Sequence, residues 1–212
     1  MFMRVCRLRG CVVAALFASF GVFADGKTYY VDAALGSDAN PGTAEAPFKT
    51  IQYAVNKSSN DTIRVAAGVY GPIATKGLPM TIIGAGIGRS IIDGGGTNRC
   101  AQLALTSSVD VVPRDETILQ GFTLRNGRAR TTMTNYISSY YGAGAYRGRL
   151  IACELTENDA AGGYGGGASH SILESCIIAR NRGTTGSALY QCTAYNCSIV
   201  ANRSTSLLSS YT

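Results

Sequence analysis

The chain of 212 residues holds one histidine, His170 in "GGASHS", and has neither a Cys-x-x-Cys pair nor a Cys/His cluster. With a single histidine, no spacing sets an imidazole beside a nucleophile and an orienting carboxylate, so His170 reads as a polar coil residue. Without clustered Cys and His there is no legible zinc site. After residue 24 no apolar run reaches the roughly 20 residues that a membrane-spanning helix needs. Charge is sparse as well, with 19 Lys and Arg against 13 Asp and Glu. Three of the arginines fall in the first 24 residues, which leaves 16 basic and 13 acidic residues, +3, on the rest. So mild an excess, with no basic stripe, excludes a nucleic-acid footprint.

The first 24 residues are of another kind. Arg4, Arg7 and Arg9 precede the apolar run "CVVAALFASFGVF", and "VFA" before Asp25 suits a signal peptidase. This is the pattern of a secretory signal peptide over residues 1–24, which predicts a secreted or cell-envelope protein. "LRGC" around Cys11 stands before the apolar run, which argues against a lipoprotein site. Five cysteines follow, at 100, 153, 176, 192 and 197; an odd number leaves at least one thiol free or paired between chains.

What is present is repetition. "CELTEN" from Cys153, "CIIARN" from Cys176 and "CSIVAN" from Cys197 share Cys first, an aliphatic third and Asn sixth. "GFTLRN" from Gly121 is a looser copy, which puts Asn126, Asn158, Asn181 and Asn202 at steps of 32, 23 and 21 residues. "GAGAY", "GGGAS" and "TGSAL" recur in phase, with Ala145, Ala168 and Ala188 ahead of the cysteines. Short β-rich pieces divided by Gly, Asn and Ser, with no 3.6-residue periodicity, predict an all-β solenoid with coils of about 21–23 residues. Its coils pair in parallel, so like residues stack. Asn126, Asn158, Asn181 and Asn202 are expected to form an amide ladder, and Cys153, Cys176 and Cys197 a column of reduced core thiols. Glycines 144, 165, 166 and 167 suit tight corners. A leucine-rich repeat lacks its consensus here, and a propeller blade needs about twice the period.

Residues 27–71 run strand, turn-rich loop, helix and strand. "PFKTIQYAVNKS" carries Phe48, Ile51, Tyr53, Ala54 and Val55, enough for a short helix that covers the first coil. The order "YYVD…GSDANPGT…APFKTIQYAV…DTIRVAAGVYG" resembles the opening of secreted bacterial proteins of the pectate-lyase-like superfamily, family-nine polysaccharide lyases included. "TIIGAGIGRSIIDGGG" is also typical of those chains. The repeats are similar to those of chlamydial polymorphic outer-membrane proteins, without the Phe these usually carry before Asn. The resemblance implies a single-stranded right-handed parallel β-helix over residues 25–212, with a cap and first coil at 27–71 and coils at 72–212. It also implies polysaccharide chemistry, in which calcium held by carboxylates assists a Lys or Arg base, or paired Asp residues hydrolyse.

Candidate sites follow. "GAGIGRS" is no dinucleotide loop, because strand-like "SIIDGGG" follows it where a helix is required. Asp110, Asp115 and Glu116 cluster, as do Glu154, Glu157 and Asp159; Asp38 with Asn40 in "GSDANPGT" forms another acidic turn. Asp38, Asp110, Asp115 and Glu116 are the candidate Ca2+ ligands. The long step between Asn126 and Asn158 predicts a protruding wall, with Arg125, Arg128 and Arg130 before it and Tyr136, Tyr140 and Tyr141 within it. Guanidinium groups suit uronate carboxylates and tyrosines suit sugar rings, so these six are the candidate substrate contacts. The expected function is a surface or secreted β-helix that binds a polysaccharide or cell-surface glycan, or serves as an adhesive shaft. The alternative is a lyase or hydrolase acting on acidic polysaccharide, for which no catalytic set is legible. No closing segment follows Asn202, so a truncated chain that self-associates end to end is also expected.

Overall fold

The computed structural model describes residues 26–75, 77–104, 117–129 and 140–205. Its strands form four sheets, and neighbours in each pair in parallel. The first sheet stacks Thr28–Val31, Thr62–Val65, Met80–Ile83, Thr117–Gln120, Arg149–Ile151, Ile172–Glu174 and Thr193–Tyr195. The second stacks Gly68–Tyr70, Ser90–Asp93, Thr123–Arg125, Glu154–Thr156, Ile177–Ala179 and Ser198–Val200. A short third sheet holds Asp159–Tyr164, Arg182–Thr185 and Arg203–Ser204. The fourth holds Ile73–Ala74, Ala101–Gln102, Ala145–Tyr146, Ala168–Ser169 and Leu189–Tyr190. Each later coil visits the four in that order. The architecture is a right-handed parallel β-helix, the hand that parallel crossovers take almost without exception.

Register places like side chains one above another. Ile63, Ile82, Leu119, Leu150 and Leu173 form an inward column on the first sheet, each 0% exposed. Ile92, Leu124, Leu155 and Ile178 form the matching column on the second. Each such side chain contributes about 1.5–3 kcal/mol by leaving water. Next to the second column, Cys153 and Cys176 are buried, and all five described cysteines are free thiols. Burial pushes the Cys153 thiol well above its ordinary pKa.

The corners are built from residues in the left-handed region. Ala152, Ser175 and Asn196 precede the cysteines at φ between 49° and 53°; Glu157, Arg180 and Ala201 precede the asparagines at φ between 53° and 57°. Such a conformation costs a non-glycine residue roughly 1–2 kcal/mol, and the asparagine ladder offsets it. Asn181 Oδ1 accepts from both the backbone N–H and Nδ2 of Asn158, each at 3.0 Å. Asn202 Oδ1 does the same for Asn181, at 2.9 and 3.0 Å. Each Nδ2 also donates inward, to Leu124 O, Leu155 O and Ile178 O.

Two repeat positions move. Asn126 is not a rung: its φ of 52° and its place after Arg125, the partner of Thr156, put it level with Glu157. Gly127 takes the ladder level, and its N–H donates to Asn158 Oδ1 at 2.8 Å, a step of 31 residues. The cause lies in "GFTLRN", where Gly121 is the left-handed corner residue (φ 71°) and buried Phe122 fills the cysteine level. The Cys100 thiol finishes the ladder, donating to Arg125 O and Asn158 Oδ1. Likewise Leu189, not Ala188, pairs with Ala168.

The helix forms at Ile51–Lys57, capped by Thr50, whose hydroxyl accepts from Tyr53 N–H at 3.2 Å. Ile51, Ala54 and Val55 are buried against the opening coil.

Candidate functional site

Where the second sheet turns into the third, the ladder corner opens into a polar cleft. It has a volume of about 520 Å³ and is lined by Gly95, Gly96, Asn126, Gly127, Arg128, Glu157 and Asp159. Gly95 and Gly96 both take positive φ, and a Cβ on Gly96 would meet nothing within 4 Å, so the floor is bare backbone. Asp93 accepts from Arg125 Nε at 2.8 Å, from Asn126 Nδ2 and from Gly95 N–H. Burial pushes the Asp93 carboxyl up, but these donors outweigh it and hold its pKa below the usual value. Arg128 Nη1 stands 3.8 Å from Asp159 Oδ2, beyond hydrogen-bond reach. Hydrogen-bond donors and acceptors thus share one lining.

At the other end of the third sheet lies an aromatic cluster. Tyr141 bridges in parallel to Tyr164, and their rings stack at 5.2 Å. Ser169 is the small residue between Tyr146 and Tyr190 on the fourth sheet, and the Tyr141 ring stacks on both, at 6.2 and 5.8 Å. Tyr164 and Tyr190 meet at 4.7 Å. Tyr141, Tyr164 and Tyr190 are half-buried, whereas Tyr146 is buried between Arg99, 5.0 Å from its ring centre, and Arg147, at 5.4 Å. Burial draws the Arg99 guanidinium down to about 10. Arg99 also holds the corner by donating to Tyr141 O and Gly142 O.

His170 lies beneath these rings. It meets Tyr141, Tyr146 and Tyr190 edge-on at 5.0–5.9 Å and shares a 2.7 Å hydrogen bond between Nδ1 and Ser169 Oγ. Burial, then the nearby Arg147 charge, lower its pKa. Ser169 is fully buried, so this serine–histidine pair braces the cluster and offers no nucleophile to solvent.

The structure divides the expected contact residues. Arg125 and Arg128 belong to the polar cleft and Tyr141 to the aromatic cluster; Tyr140 precedes it, half-buried. Arg130 and Tyr136, and the metal candidates Asp110, Asp115 and Glu116, lie outside the described residues, as do residues 1–24, Leu207 and Leu208. Asp38, the remaining metal candidate, lies in the described loop before the helix. Its Oδ1 accepts from the N–H groups of Lys49 and Thr50 and its Oδ2 from the Thr50 hydroxyl, which makes it a tether for the helix entrance. Among the described residues, no three His, Cys, Asp or Glu side chains come together as a metal site. Tyr164, Tyr190, Tyr146 and His170 were not expected at the site. Their signal was a Tyr-Gly pair at 141–142 and 164–165, directly before "AGAY" and "GGAS".

Fold and site together define a parallel β-helix with a polar cleft and a tyrosine cluster joined by one short sheet. Residues 34–173 match the model of a family described as "Protein of unknown function (DUF1565)", and the chain belongs to that family. No curated protein matches it. Among solved structures it is similar to a GH136 lacto-N-biosidase from Eubacterium ramulus, with 16% identity and a TM-score of 0.40 over 82% of this chain and 34% of that one. A rhamnogalacturonan lyase is similar at 15% identity and a TM-score of 0.35, over 83% of this chain and 62% of that one. The pectate lyase Pel9A follows at 15% and 0.31, over 77% and 55%. The chain thus spans between a third and two thirds of the length of these proteins. No helix among the described residues is long and apolar enough to cross a membrane.

Proposed function

We propose that the chain is an exported β-helix protein that binds polysaccharide on the outer face of its third sheet, as a binding surface without a catalytic set of its own. The observation that carries this reading is the continuity of that face. Asp159–Tyr164 starts in the polar cleft and ends in the tyrosine cluster, with exposed Ala161 and Gly162 between. Interleaved carboxylate, amide and guanidinium groups over a glycine floor suit sugar hydroxyls, which both donate and accept. Half-buried tyrosines offer an apolar edge with a phenolic hydroxyl, which suits the mixed surface of a sugar ring. The surface is open rather than enclosed, as an extended polymer requires.

Affinity electrophoresis through gels that contain neutral or acidic polysaccharides tests the reading. At least one polymer should retard the protein. Arg128→Gln, in the cleft, and Tyr164→Ser, in the cluster, should each weaken retardation about ten-fold, the loss of one or two hydrogen bonds and a ring contact. Circular dichroism of both variants should match the parent. Free migration in every gel, or retardation indifferent to both substitutions, would remove the proposal.

A further inference from the structure

We infer that the third sheet carries an anion-binding step made by Arg182 and Arg203 with Thr184 and Thr205, so that the bound polymer is acidic. The inference rests on the polysaccharide reading above and specifies its ligand. Arg182 and Arg203 are direct partners on adjacent parallel strands. Both are exposed, while Gly183 and, one coil earlier, Ala160 turn inward. Thr184 and Thr205 follow two residues on, hence on the same face, with their hydroxyls 3.1 Å apart.

The column of charges reads Arg128, Asp159, Arg182, Arg203 along the axis. The first two face each other, and the adjacent Glu157 is taken by Arg180 at 3.3 Å. Among the described residues, no carboxylate reaches ion-pair distance of Arg182 or Arg203. Like charges directly opposite on neighbouring strands repel. Two guanidinium groups one rung apart, about 4.8 Å, with no carboxylate of the described residues at ion-pair distance, make this level attractive to an external anion. A carboxylate or sulfate group fits, because each guanidinium presents a planar fork of N–H donors and one hydroxyl of the Thr184–Thr205 pair, the one that accepts from the other, keeps its proton to donate.

The test compares polygalacturonate, heparin and a neutral β-glucan in the same electrophoretic assay, with the parent chain and the double variant Arg182→Gln/Arg203→Gln. The parent should be retarded by at least one of the two acidic polymers more strongly than by the glucan, and the stronger one tells carboxylate from sulfate recognition. The double variant should lose at least about ten-fold of that retardation, keep its glucan behaviour, and melt no lower than the parent, since a repulsion has been removed. Added salt should weaken binding to the acidic polymer only. Equal or stronger retardation by the glucan, or a double variant that holds the acidic polymer as tightly as the parent, overturns the inference and leaves polysaccharide binding standing. No retardation by any of the three overturns both.

Discussion

His170 and two asparagines carry the account at the scale of single residues. Because the chain has one histidine, its ring signals in an NMR titration are unambiguous. Burial and Arg147 depress its pKa, so the folded state favours the neutral ring. The sign follows: the unfolded chain takes the proton first as pH falls through about 6.5, so the contribution of His170 to stability is complete above that pH and is lost as pH drops through the folded value. A folded-state titration midpoint above 6.5 would mean that the ring does not lie under the tyrosines. The asparagines separate corner from ladder. Asn181→Gly deprives Asn158 of the acceptor for its backbone N–H and its amide and should cost about 3 kcal/mol or more. Asn126→Gly suits the left-handed φ at that position and should change stability by less than about 1 kcal/mol. Urea denaturation that ranked the two equally would contradict the register.

At the scale of elements, the helix entrance gives a further prediction. Asp38 accepts two backbone N–H groups and the Thr50 hydroxyl ahead of Ile51–Lys57. Asp38→Ala should therefore lower stability by about 1–2 kcal/mol, the range of a lost cap, as read from thermal or urea melts. A variant as stable as its parent would show that the helix needs no such tether. This element also shows what was legible beforehand. The helix, the parallel coils and the Asn158–Asn181–Asn202 ladder could be read because each leaves a repeated or amphipathic pattern in sequence. The tether made by Asp38 has no such pattern, because a loop rich in Asp and Asn has the same composition whatever its oxygens face. Asn126 reads as a rung when Gly121, the corner residue, is set at the cysteine level, one position early. The tyrosine cluster was only partly legible. Tyr141 and Tyr164 stand at one repeat level, but Tyr146 and Tyr190 stand at another, and only folding brings the two levels together over Ser169.

For the whole molecule, stacking explains both stability and the site. Leucine and isoleucine columns fill two inner faces, so the outer face of the third sheet can vary without disturbing the core. Asp159, beside Arg128, and the arginines Arg182 and Arg203 occupy one outward level there with opposite charges. The central claim is that this face meets polysaccharide. Hydrogen exchange with and without bound polysaccharide, measured with polygalacturonate and with β-glucan in turn, tests it most directly. The account predicts slowed exchange in peptides covering residues 159–164 and 182–185, with the first sheet, at 149–151 and 172–174, unchanged. Protection confined to the first sheet, or spread evenly over all coils, would contradict it.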